Sequence, residues 1–161
     1  MTTPHDHRSA GPAPTYPDPL TKGLPADHAR QVARQILGGP HLSVLATTNA
    51  DGSPQLSVIF VKPDGDDILF STIQGRRKTA NMSRDPRVTL SLHRLPASAV
   101  SAYATIHGTV ELSDDPDGAF HQVIYGLYVG GSTPPPEPGA HRLIVRIHLQ
   151  RAYAALPFSS E

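Results

Sequence analysis

"HLSVLATTNADGSPQLSVIFVKPDGDDILFST", residues 41–72, holds three runs of β-branched and apolar residues separated by "NADGSP" and "KPDGD". Both separators are rich in Asn, Asp, Gly and Pro, the residues that supply turn geometry, so the stretch predicts a three-stranded antiparallel meander. Upstream, Pro25 suits a first helical turn, and Ala29, Val32, Ala33, Ile36 and Leu37 recur at helical spacing until Gly38, Gly39 and Pro40 stop them. Downstream, "KTANMSR" predicts a short helix halted by Pro86. The strands "RVTLSLH" and "AVSAYATIHGTVEL" follow, the second with a bulge at Gly108. Asp115 is expected to cap, and Pro116 to open, a further helix carrying Phe120, Val123, Ile124 and Leu127 on one face. After the loop "GGSTPPPEPGA", the alternating run "HRLIVRIHL" ends the fold as a strand continuing towards "RAYAAL". Five or six antiparallel strands with three helices make an α+β chain, and so long a sheet in so short a chain curls into a barrel.

At 161 residues and 38% hydrophobic content the chain has material for one core rather than two. Its formal net charge of +0 argues against bulk attraction to nucleic acid or an anionic membrane, so any anion must be met locally. Zero cysteines exclude disulfides, thiolate catalysis and cysteine-bound zinc. No apolar run approaches the ~20 residues of a membrane span, and the N-terminus has no apolar leader, so a soluble cytoplasmic protein is expected. Residues 1–22 carry Pro4, Pro12, Pro14, Pro17 and Pro19 with little to bury, and are expected to form a disordered arm ahead of a single domain at residues 23–158. His5 and His7 on that arm lack the fixed further ligands of a metal site, and no metal is expected.

The bend after the meander concentrates positive charge: Arg76, Arg77 and Lys78 are consecutive and open the "KTANMSR" helix. Helix N-termini favour anions, and an arginine fork suits phosphate oxygens. A solvated turn would carry the same residues. Single-stranded nucleic acid would need interleaved aromatic platforms, which a chain without Trp and with 6% aromatic content does not offer.

"VIFVKPDGDDILFSTIQGRRKTANMSRDPRVTLSL", residues 58–92, resembles the flavin-binding core of the pyridoxamine 5′-phosphate oxidase-like superfamily. The order of strand, "GRRK", short Asn-bearing helix, "RDPRV" and strand is most similar to its branch using coenzyme F420. The likeness extends over about residues 25 to 155 and implies a split β-barrel of the FMN-binding type, dimerising around two cofactor sites. By the same resemblance Arg77 and Lys78 hold the cofactor phosphate, with Arg76 an additional cation. Ser57, Val58 and Ile59 of the second strand, and Ser71 and Thr72 of the third, line the ring system and its polyol chain.

The resemblance implies an F420-dependent oxidoreductase that passes a hydride between deazaflavin and a small unsaturated organic molecule, with FMN as the alternative cofactor. A second class of reading is a non-catalytic flavin, haem or tetrapyrrole carrier or sensor of the same fold. Vitamin B6 oxidases of the superfamily have a C-terminal Trp and Arg signature; this chain has no Trp and ends "RIHLQRAYAALPFSSE", which argues against oxidation of pyridoxamine phosphate. Deazaflavin-type relatives place an aromatic residue near the last strand's end, where Tyr153 and Phe158 stand in a shifted register. No catalytic residue is assigned: Tyr103 and His107 flank Thr105 but make no relay by themselves, and no metalloprotease, dinucleotide or P-loop motif occurs. A homodimer with its cofactor at the subunit interface, a small-molecule substrate, and neither nucleic acid nor membrane complete the expectations.

Overall fold

The computed structural model describes residues 41–94 and 102–155, together with residue 31, which is helical. The proline-rich arm and nearly all of the helix expected from Pro25 to Leu37 lie outside the described residues, as does Phe158. Six strands, β1 (His41–Thr48), β2 (Pro54–Asp64), β3 (Asp67–Ile73), β4 (Arg87–Arg94), β5 (Ala102–Asp114) and β6 (Arg142–Ala155), form a closed antiparallel barrel in the order β1-β2-β3-β6-β5-β4. Among the described residues from 41 to 155, two helices accompany it, α1 (Arg77–Arg84) between β3 and β4 and α2 (Ala119–Tyr128) between β5 and β6. This is the expected α+β split barrel. Among the described residues no helix is long and apolar enough to cross a membrane.

Alternation builds the interior. Leu45, Ile59, Val61, Ile68, Phe70, Leu90, Leu92, Ala104, Ile106, Val145 and Ile147 fill the barrel, and Met82 of α1 joins the same cluster. The β2–β3 connection is tighter than the turn-forming run implied: Lys62, Pro63 and Asp64 stay in the strand, and a two-residue hairpin remains with Gly65 at φ 61°. The bulge falls where expected, as a register shift between His107 and Gly108. Close packing makes the glycine necessary there, since a Cβ would overlap the His148 carbonyl oxygen.

α1 is docked by polar contacts at its buried face. Thr79 Oγ1 donates to the Ile73 carbonyl at 2.9 Å, and the buried Asn81 amide donates to Thr47 Oγ1 and Asn49 Oδ1 at 3.0 and 3.1 Å. α2 starts later than expected, at Ala119 rather than Pro116, because Asp115 first closes a turn by accepting the Gly118 N–H at 3.0 Å on its carbonyl. Asp115 still caps: its buried carboxylate reaches across that turn to the N–H groups of Phe120 and His121 at 3.1 and 3.0 Å. Of the face assigned to this helix only Ile124 is buried; Val123 and Leu127 remain exposed.

Candidate functional site

The barrel is opened on one side by its own hydrogen-bond register. β2 pairs with β1 along residues 54–61 but with β3 only at residues 62–64, while β3 pairs with β6 along its whole length. Over residues 54–61, therefore, β2 has one edge with no strand partner among the described residues. At the boundary of that split, the Tyr128 hydroxyl accepts the Val61 N–H at 3.0 Å and donates to the Val61 carbonyl at 2.6 Å. α2 thus closes one end of the split, touching β2, β3 and β6.

What remains is a cleft of about 290 Å³ lined by Val58, Ile59 and Phe60 of β2, Ser71 of β3, Arg76 and Lys78 at the start of α1, His121, Ile124 and Tyr125 of α2, and Arg142 of β6. Apolar side chains and three cations share this one space. α1 has no acidic residue in its first turn and no side-chain cap, and its first N–H with an intrahelical acceptor is that of Ala80, bonded to the Arg76 carbonyl. The N–H groups before it and the helix dipole favour an anion at the point where the sequence places cations, so this terminus is electrostatically unfavourable by itself. Burial first, and Arg76 second, hold the Lys78 ammonium below its ordinary value of 10.5. No described acidic group forms an ion pair with either cation.

The residues singled out in the sequence divide in two. Val58, Ile59, Ser71, Arg76 and Lys78 meet in the cleft. Ser57, Thr72 and Arg77 do not line it. Strand alternation turns Thr72 into the core, 2% exposed and with its hydroxyl unpartnered, while its neighbour Ser71 faces the cleft. Ser57 accepts the Gln55 side-chain amide at 2.8 Å. Arg77 is exposed, and its charge reaches Asp51 in the β1–β2 turn, a carboxyl held below its ordinary value first by Ser53 and only slightly by Arg77.

Five cleft residues were not anticipated as such: Phe60, His121, Ile124, Tyr125 and Arg142. His121 and Tyr125 stand one helical turn apart, with ring centroids 6.0 Å apart, a spacing visible in "HQVIY". The His121 imidazole is held below its ordinary value by burial and then by Arg142. Arg142 contacts Ser71 Oγ at 3.5 Å and forms an ion pair with Glu137 across the α2–β6 loop. Nothing local in "HRLIVRI" marks it.

A larger hollow of about 410 Å³ lies over β1, β4 and β5 and contains none of the expected site residues. Two pairs of its polar groups bind each other: Arg87 pairs with Asp85 at 2.7 Å and Thr89 with His107 at 3.1 Å. Tyr153 packs edge-on to His107 there, at 5.7 Å between ring centroids, away from the cationic cleft.

Comparison with known proteins agrees with the barrel. An F420 reductase is 30% identical, with 74% of this chain and 94% of that chain covered and a TM-score of 0.67. A conserved hypothetical protein, Rv2991, from Mycobacterium tuberculosis is 22% identical over 86% of this chain and 92% of that one, with a TM-score of 0.61. A haem-binding protein from Mycobacterium smegmatis is 18% identical over 82% of this chain and 55% of that one, with a TM-score of 0.60; at this identity the last two share the fold. The family model for pyridoxamine 5′-phosphate oxidase matches residues 29–154, nearly the whole of the barrel-forming chain, and the protein belongs to that family.

Proposed function

We propose that the cleft binds a phosphorylated flavin-type cofactor, coenzyme F420 in preference to FMN, and that the protein is an oxidoreductase acting on a small unsaturated organic molecule. The observation that carries this reading is the coincidence in one cleft of Arg76 and Lys78, with no acidic partner among the described residues, an apolar wall, and a β2 edge with no strand partner among the described residues. The donor set suits such a group. A phosphate answers the two cations and the free N–H groups of α1. Val58, Ile59, Phe60 and Ile124 offer an apolar bed for a flat ring, and the backbone around Ser57, Val58 and Ile59 offers polar groups to its edge. Arg77, expected beside Lys78 on the phosphate, lies outside the cleft and is here an outer cation reached by the phosphate or its substituents, and Thr72 contributes through its backbone beside Ser71. Similarity to an F420 reductase supports the choice of cofactor.

When bound and reduced, F420 supplies a hydride, so the chain has to bind, orient and exclude water rather than activate a nucleophile. Lys78 and Arg76 fix the phosphate end. Buried Ile124 packs the α2 wall, while Val58 and Phe60 of β2 are exposed and become dry only when the cofactor or a second copy covers them. His121, held below its ordinary value, is a neutral imidazole near neutral pH and can present an N–H or a lone pair without adding charge. A second copy of the chain would complete the site: Leu56 and Val58 on β2 and Val123, Leu127 and Val129 on or beside α2 are exposed apolar residues of the kind a homodimer covers.

Fluorescence titration with F420 and with FMN, followed by oxidation of reduced F420 in the presence of conjugated acceptors, tests the reading. Arg76→Ala should weaken both cofactors, and F420 more than FMN if this cation also reaches the glutamate tail that F420 alone carries. Binding of neither cofactor overturns the proposal; binding without turnover assigns the protein to the carrier or sensor class. A monomeric mass at micromolar concentration overturns the dimer.

A further inference from the structure

Arg142 differs from the other two cleft cations in being answered from within the chain. It opens β6 opposite Ile73 of β3, and its side chain is 13% exposed. Nη2 donates to a Glu137 carboxylate oxygen and Nη1 reaches Ser71 Oγ at 3.5 Å, but the buried Nε has no acceptor. A guanidinium carries five N–H donors in a fixed fork, and a carboxylate that meets it edge-on takes Nε and Nη2 together. Glu137 takes only Nη2. Its loop, "STPPPEPGA", has Pro136 and Pro138 on either side of it, and its side chain is 36% exposed, so water takes over its solvation when it leaves the fork.

We propose that Arg142 anchors the carboxylate of the acceptor molecule at the α2 side of the cleft, and that Glu137 is a tethered competitor holding the fork until that carboxylate replaces it. This rests on reading the cleft as a joint cofactor and acceptor site, and it names the acceptor's class: an apolar, conjugated body with a carboxylate at one end. The body meets Phe60, Ile124 and Tyr125, and the carboxylate satisfies the Nε that Glu137 leaves bare. Arg76 and Lys78, on α1, stay with the phosphate. The lowered titration of His121, owed to burial and then to Arg142, is consistent with positive charge that Glu137 does not fully cancel.

The test uses cofactor-free full-length protein, with cinnamate as probe and cinnamamide as its uncharged counterpart, read by calorimetry. Glu137→Gln removes the competing charge and should tighten cinnamate by about tenfold, with cinnamamide unchanged. Arg142→Gln should abolish cinnamate binding, with thermal melting confirming that it folds, and Arg87→Ala, in the other hollow, should leave cinnamate as in the wild type. Cinnamate affinity unmoved by Glu137→Gln, equal tightening of the amide, or equal damage from Arg87→Ala would each overturn the subsite. So would failure of cinnamate to bind any variant, which leaves F420 titration to judge the cofactor separately. If cinnamate follows the expected pattern while no flavin or F420 binds, the acceptor subsite stands and the cofactor assignment falls.

Discussion

Lys78→Met separates the cost of the cationic cleft from its use. The ammonium is half-buried, lines the cleft and lies beside Arg76 with no acidic partner among the described residues, and burial is the larger of the two influences that loosen its proton. A unit charge pair at 4 Å is worth about 1 kcal/mol in bulk water and about 4 kcal/mol at the effective dielectric of a protein surface. A half-buried ammonium against a phosphate falls between, at about 2 kcal/mol, or roughly thirtyfold in affinity. Fluorescence titration of F420 or FMN should show that loss. In the cofactor-free protein the sign reverses. Lys78 binds its proton less firmly folded than unfolded, so its contribution to stability is present above 10.5 and is lost as pH falls through its lowered folded value. Met keeps the apolar stem and removes that penalty, so the melting temperature at neutral pH should hold or rise slightly, and the stability gain between neutral pH and 10.5 should be smaller than in the wild type. For a chain of this size each 1 kcal/mol is about 2–4 °C. A fall of several degrees with unchanged cofactor affinity would refute the reasoning and make Lys78 a structural residue.

Three further substitutions probe the frame around the cleft. Gly108→Ala drives a Cβ into the His148 carbonyl and to 3.0 Å from Ile147 Cγ2, and should cost about 1–3 kcal/mol in chemical denaturation, as overpacking does. Thr72→Val deletes a buried, unpartnered hydroxyl and should stabilise by about 1 kcal/mol in the same assay; a loss of cofactor affinity would instead tie that hydroxyl to the site. Tyr128→Phe strands the Val61 N–H and carbonyl where the split begins, with an expected loss of about 1–3 kcal/mol and faster amide exchange at Val61. Unaltered exchange there would show that water or another group replaces the hydroxyl.

The order of strands, the bulge at Gly108 and the cationic bend were legible in the sequence because each is carried by local chemistry: turn residues between alternating runs, a glycine inside a strand, a basic run opening a helix. The family resemblance lay in the same contiguous stretch, residues 58–92, and needed no long-range contact to be seen. Helix boundaries were less legible, since Asp115 caps α2 from an additional turn away.

The membership of the cleft belonged to tertiary structure. Ser71 and Thr72 must point to opposite faces of β3, but only the closed barrel says which face is core. Arg76, Arg77 and Lys78 are adjacent in sequence and cannot all project one way from a helix start; the docking of α1 through Thr79 and Asn81 selects Arg76 and Lys78 for the cleft and leaves Arg77 outside. Arg142 lies 71 residues from Ser71 and joins it because β3 and β6 pair across the barrel. Sequence determined that there would be a barrel and a local excess of positive charge, because both follow from short-range pattern. Only the fold decided which charges share a cavity, which of them is already paired, and which has no acidic partner among the described residues, because those depend on residues brought together from distant parts of the chain.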